Sequence, residues 1–187
     1  MTDFTIHTEA SAPDDSKRLI RNATKAYGFL PNLLAVQAES PALLEGYMTL
    51  AGILNKTRLS ETERQIILMT NNRLNGCTYC MAAHTTLSQM GKVPEDVIEA
   101  LRNGTRIADD RLEALRVFAA RINETRGWVE QQDLDALFAA GYTRETVLDV
   151  ILATSLKVMS NYTNHIAQTP VDPAFQANVW APIDRAA

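Results

Sequence analysis

The sequence predicts an all-α fold. Three observations carry this: apolar residues recur at helical spacing in segment after segment, most segments open on a capping residue or a proline and several close on glycine, and no run alternates convincingly as a strand would. At 187 residues and 46% apolar content the chain is sized for a single domain, 1–187. No fixed-period repeat or low-complexity segment divides it.

Residues 1–13 read as an irregular lead-in. Asp14 or Asp15 caps a first helix through Leu19, Ile20 and Ala23 to Tyr27, and Gly28 supplies a left-handed stop. Pro31 suits the first turn of a short helix carrying Leu33, Leu34 and Val36. Ser40 caps, and Pro41 begins, a helix carrying Leu43, Leu44, Tyr47, Leu50, Ala51 and Leu54. Ser60 and Glu63 form a capping box for a helix that is apolar on most sides, through Ile66, Ile67, Leu68, Met69 and Leu74, which predicts burial. Asn75-Gly76 breaks that helix and the next opens at the cysteines and runs to Gly91, so residues 60–91 form the core motif. After Pro94 a helix carries Val97, Ile98 and Leu101 to Gly104. A helix from about Asp109 aligns Leu112, Leu115, Phe118, Ala119 and Ile122, and a short one spans Gln132 to Ala140 before Gly141.

Thr143 caps the last long helix, which carries two stripes. Its apolar stripe, Leu148, Ile151, Leu152, Met159, Tyr162 and Ile166, is expected to face a core; its polar stripe, Thr154, Lys157, Asn161 and His165, is expected to face a polar cleft or a subunit interface. Pro170 and Pro173 end the helix, and in the tail, 170–187, Phe175, Val179 and Trp180 are expected to pack down.

A net charge of −4 offers no basic patch for nucleic acid. No segment reaches the roughly 18 uninterrupted apolar residues of a membrane span, and residues 1–15 are polar and acidic rather than signal-like. The expectation is a soluble, cytoplasmic protein. The apolar helices at 43–54 and 147–166 exceed what one small core needs, so a homo-oligomer is expected, with dimer, trimer and hexamer all open.

The stretch Cys77-Thr78-Tyr79-Cys80-Met81-Ala82-Ala83-His84 holds both cysteines and one of the three histidines. On a helix, Cys77, Cys80 and His84 share one face. A helix N-terminus stabilises thiolate, and that argument alone favours Cys77 as the more acidic thiol; His84, one turn past Cys80, is placed to manage a proton. Such a pair can cycle by attack on an oxidant, condensation to a disulfide and reduction from outside. A zinc site is the rival, with Cys77, Cys80 and His84 joined by His165 or Asp96, but no second metal-spaced pair supports it. No metal and no other cofactor is expected.

Around this stretch the chain resembles a known family. Glu63-Arg64-Gln65, the apolar helix and the run from Asn75-Gly76 to His84-Thr85 are similar to the core of the AhpD-like alkyl hydroperoxidase and carboxymuconolactone decarboxylase superfamily. Tyr27-Gly28-Phe29-Leu30-Pro31-Asn32-Leu33 and Ser40-Pro41-Ala42-Leu43-Leu44 resemble its peroxidase-related branch, as does the polar stretch 161–165. The resemblance implies an AhpD-like fold of antiparallel helices around a buried Cys-x-x-Cys helix. It implies an oxidoreductase that reduces hydrogen peroxide or organic hydroperoxides and is itself reduced by an external thiol or disulfide reductant. Cys80 would attack, Cys77 would resolve and His84 would belong to a proton relay. Two relay positions depart from the family pattern: Gln65 stands where a glutamate is usual, and Tyr79 where a histidine is usual. Gln65 can hold His84 by hydrogen bonding but cannot accept a proton, leaving a simpler route or one through Tyr79. A decarboxylase-like enzyme on a small lactone or acid, and a non-enzymatic redox-sensing oligomer, are the alternatives. Continuous helix would separate Gln65 from Cys77 by roughly 18 Å, so the relay requires Asn75-Gly76 to fold the two helices back as an antiparallel pair.

Overall fold

A computed structural model describes residues 4–182; the first three residues of the expected lead-in and the last five of the expected tail lie outside the described residues. Among the described residues there is no strand. The elements are α1 (Asp14–Tyr27), α2 (Asn32–Gln37), α3 (Pro41–Leu54), α4 (Glu61–Leu74), α5 (Thr78–Met90), α6 (Glu95–Asn103), α7 (Asp110–Thr125), α8 (Gln131–Ala139), α9 (Arg144–Ala167) and a closing 3₁₀ helix, Pro173–Asn178. The expected all-α architecture is the one observed.

Local chemistry sets most boundaries. Ser40 accepts the Leu43 N–H at the start of α3, with Pro41 next to it. Ser60 and Glu63 satisfy each other's backbone N–H in a complete capping box, and Asp109 and Thr143 accept N–H groups of α7 and α9. Two expectations shift by a residue or so. Pro13, not Asp14 or Asp15, holds the position before α1, leaving both aspartates in the first turn, where the helix dipole favours them. Pro31 likewise stands just before α2 rather than inside it.

α4 occupies the middle of the molecule and packs against α5, α6, α7 and α9. Its Ile66, Ile67 and Met69 are fully buried in a core shared with α6, α7 and α9. A second apolar cluster joins Leu19, Ile20 and Ala23 of α1 and Leu33 and Leu34 of α2 to Cys77, Cys80 and Phe175. The N-terminal helices and the 3₁₀ segment therefore roof the cysteine motif. Phe175 and Trp180 are buried as expected, while Val179 is exposed.

The two stripes of α9 meet expectation in part: Lys157 of the polar stripe lines a cavity and Leu152 of the apolar stripe packs on the core, but most of the apolar stripe is turned out. Leu148, Tyr162 and Ile166 are 66%, 54% and 65% exposed, and the buried face carries Val150, Ala153 and Leu156 together with Lys157, Ser160, Asn161 and Asn164. The reason lies in what α9 packs on: it lies across the cysteine helix pair, whose polar atoms need partners once water is excluded.

The turn between α4 and α5 is a Schellman motif. Cys77 N–H bonds to Asn72 O at 2.9 Å and Gly76 N–H to Arg73 O at 3.0 Å, with Gly76 at φ 66°. This reversal folds α5 back along α4 and brings Gln65 and His84 into hydrogen-bond contact, as the relay required. Because Gly76 occupies the left-handed region, Gly76→Ala is expected to cost about 1–2 kcal/mol of stability, measured as a lowered midpoint in denaturant unfolding.

Candidate active site

Cys77 is the residue before α5 and spends its N–H on the turn, while Cys80 lies in the first turn of the helix. Both are free thiols, 1% and 2% exposed. Asn164 Nδ2 lies 3.2 Å from Cys80 Sγ and 3.8 Å from Cys77 Sγ, so one amide group reaches both sulfurs. A cavity of about 50 Å³ borders Cys80, His84 and Lys157 and is walled by Tyr47, Tyr79 and Phe175. Cys80 is in its lining and Cys77 is not.

The two thiols are driven apart electrostatically. Burial pushes Cys80 up, but the hydrogen bond from Cys77, the positive charge of Lys157 and hydrogen bonds from Ser160 and Asn161 outweigh it and draw Cys80 well below the ordinary thiol value. Cys77 moves up, first because its proton is given to Cys80, then through burial and the Cys80 charge. The helix-start argument that favoured Cys77 as the more acidic thiol is thus overturned: the donors and the lysine collect around Cys80.

His84 is locked in one tautomer by its neighbours. Lys157 Nζ lies 3.0 Å from Nε2, and Gln65 Oε1 lies 2.9 Å from Nδ1. An amide oxygen can only accept, so Nδ1 carries the proton and Nε2 accepts from Lys157. Gln65 Nε2 then donates to Glu61 Oε1 at 2.8 Å, giving a directed chain from Lys157 through His84 and Gln65 to Glu61. Burial, and then the Lys157 charge, push His84 well below its ordinary value, so the ring is neutral at pH 7. Glu61 also pairs with Arg64 at 2.8 Å.

The structure gathers Cys77, Cys80, His84 and Gln65 in one place. Tyr79 lines the same cavity, but its hydroxyl donates to Asp172 at 2.5 Å and accepts the Leu33 N–H at 3.2 Å. Burial and the Asp172 hydrogen bond push the Tyr79 hydroxyl up, tying the 3₁₀ segment and α2 to the cysteine helix rather than releasing a proton. The zinc alternative does not assemble, because both ring nitrogens of His84 are engaged, and His165 and Asp96 are exposed. Among the described residues no group of three or more His, Cys, Asp and Glu is arranged to hold a metal.

Sequence reading missed Glu61, Ser160, Asn164 and Asp172, and it placed Lys157 on a stripe without assigning it a partner. Below the cysteines an asparagine ladder holds the scaffold: Asn123 donates to Asn75, Asn75 to Asn161, Asn161 to Asn72, and Asn72 to the Cys80 carbonyl, at 3.2, 2.8, 3.0 and 3.2 Å.

Comparison with known proteins places this geometry in context. Residues 41–121 match the sequence model of the carboxymuconolactone decarboxylase family. None of the proteins of curated function searched matches the chain. Among solved structures, an alkylhydroperoxidase AhpD core, an uncharacterised peroxidase-related protein of Ralstonia eutropha JMP134, is similar at TM-score 0.82 and 23% identity over 92% of this chain and 93% of its own. An uncharacterised peroxidase-related protein of Silicibacter sp. TM1040 follows at 0.79 and 21% over 95% and 94%. The debrominase Bmp8, in a variant bound to 2,3,4-tribromopyrrole, is similar at 0.78 and 17% over 95% and 96%. The family match stops before α9, so Lys157, Asn161 and Asn164 lie outside it.

The opposed shifts give a pH test. In Cys77→Ser, which keeps a hydroxyl donor beside Cys80, the ultraviolet absorbance of the Cys80 thiolate is expected to persist as pH falls from 9.0, the ordinary thiol value, through neutrality, and to vanish only in acid. In Cys80→Ser, Cys77 shows no thiolate at neutral pH.

Proposed function

We propose that the protein, whose residues 41–121 match the carboxymuconolactone decarboxylase family model and whose fold is AhpD-like, is a thiol-dependent peroxidase working through a Cys77–Cys80 disulfide cycle. The observation that carries this reading is the asymmetry of the cysteine pair: Cys80, whose surroundings favour its thiolate, lines the cavity, and Cys77 lies outside the lining but within reach of the same Asn164 amide.

In the cycle, the Cys80 thiolate attacks one peroxide oxygen, the O–O bond breaks and Cys80 becomes a sulfenic acid while the other oxygen leaves. Cys77 then attacks the Cys80 sulfur, the S–O bond breaks, the disulfide forms and water departs. An external dithiol reduces the disulfide and is itself oxidised, which returns both thiols. Thus Cys80 attacks, Cys77 resolves, and His84 and Gln65 hold the proton machinery in place. Tyr79 acts as a wall and tether.

Cavity volume supports the substrate class. The space of about 50 Å³ beside Cys80 leaves room for hydrogen peroxide or a small hydroperoxide. A bulky organic hydroperoxide, or a brominated heteroaromatic of the kind bound by the debrominase, would require the walls to move.

Stopped-flow measurement of thiol loss tests the proposal. Hydrogen peroxide is expected to consume both thiols in wild type, at least tenfold faster than cumene hydroperoxide. Cys80→Ser should be inert, and Cys77→Ser should halt at a sulfenic acid that a dimedone probe captures. Persistence of both wild-type thiols in excess peroxide overturns the reading.

A further inference from the structure

We propose that Lys157 is the proton donor of this reaction: it lines the cavity with Cys80, its Nζ is held by His84 Nε2 at 3.0 Å, and it protonates the oxygen that leaves as the peroxide bond breaks. This inference rests on the peroxidase reading.

Elimination of the other candidates comes first. The proton of His84 is on Nδ1 and directed at Gln65, so the ring presents only an acceptor to Lys157. The Tyr79 hydroxyl is committed to Asp172. Tyr47 is half-buried with its hydroxyl bonded to Ser160, and that hydroxyl is pushed up by desolvation above all, which makes it a poorer acid still. Cys77 must keep its proton until it attacks in turn. Tyr27 also lines the cavity, and its hydroxyl is pushed up by burial; among the described residues, Lys157 is the one cationic side chain in the lining.

Charge balance is the second argument. Lys157 is 0% exposed and forms no ion pair with a carboxylate among the described residues. A buried ammonium needs an anion nearby, and its charge is felt at Cys80, where it favours thiolate. When the thiolate attacks, the negative charge moves to the departing oxygen. Transfer of one Lys157 proton turns that oxygen into an alcohol or water and leaves a neutral amine beside a neutral sulfenic acid. The Cys77 proton then combines with the departing hydroxide of Cys80 as the disulfide forms. Reduction by an external dithiol supplies two protons, one restoring the Cys77 thiol and one the Lys157 ammonium opposite the Cys80 thiolate. The sum is one peroxide and one dithiol giving an alcohol (or water), water and one disulfide, and no stage leaves a buried charge unpaired. His84, Gln65 and Glu61 act as positioning residues that keep Nε2 turned toward the lysine.

The test separates proton donation from thiolate stabilisation. Lys157→Met is compared with wild type for its rate with hydrogen peroxide and with iodoacetamide, each at a pH where the thiolate absorbance shows Cys80 fully ionised. Alkylation needs thiolate but expels iodide, which requires no proton. The peroxide rate is expected to fall about 100-fold or more, the low end of general acid catalysis, while alkylation changes by less than about threefold. Equal losses in both reactions, or no loss in either, overturn the proposal even if wild type remains a peroxidase. An inert wild type overturns the peroxidase reading itself.

Discussion

A lysine side chain taken wholly out of water needs its charge answered inside the fold, and the contact between Lys157 and His84 is where this protein organises the answer. The remaining features of the site follow from it. His84 must be neutral with its proton on Nδ1, which calls for an acceptor on that side; Gln65 supplies it and is itself held by Glu61. A neutral ring beside a cation leaves the anion to be found elsewhere, and Cys80 is the group on which the donors of α9 converge. A carboxylate sits one helical turn before Gln65, at Glu61, and reaches the ring through the Gln65 amide.

The scaffold serves this arrangement at two scales. The Gly76 turn sets α5 antiparallel to α4, which brings together residues 19 positions apart. The asparagine ladder then ties α7, α4, α9 and the Cys80 carbonyl into one polar seam through an apolar core. Each amide in such a ladder has a fixed donor end and a fixed acceptor end, so the ladder selects one relative placement of the three helices. Sulfur and lysine are held to the same frame, because Asn161, Asn164 and Lys157 share the buried face of α9.

Much of this was legible in the sequence, for identifiable reasons. Caps at Ser40, Ser60 and Thr143 are local chemistry, and the structure keeps them. The i, i+3, i+7 spacing of Cys77, Cys80 and His84 is likewise local, and the need for a reversal at Asn75-Gly76 followed from helix length alone. What escaped is non-local. Lys157 meets His84 across 73 positions, and nothing in the pattern of α9 announces that Lys157 and Asn161 of its polar stripe are buried. Periodicity presumes that apolar residues face inward; here the site needs polar groups inward, and Leu148, Tyr162 and Ile166 are turned out in consequence. Glu61 was hidden by its neighbour Glu63, whose capping role is the one that a sequence pattern advertises.

The measurement that bears most directly on this account is the nitrogen NMR of the three histidines as pH is varied. His84 is predicted to remain neutral in the Nδ1–H form from pH 8 down past 6.5, the ordinary histidine value, because burial and the Lys157 charge both disfavour a second proton. A His84 ring that titrates near 6.5, or that carries its proton on Nε2, would contradict the Lys157–His84–Gln65–Glu61 chain from which the rest is argued.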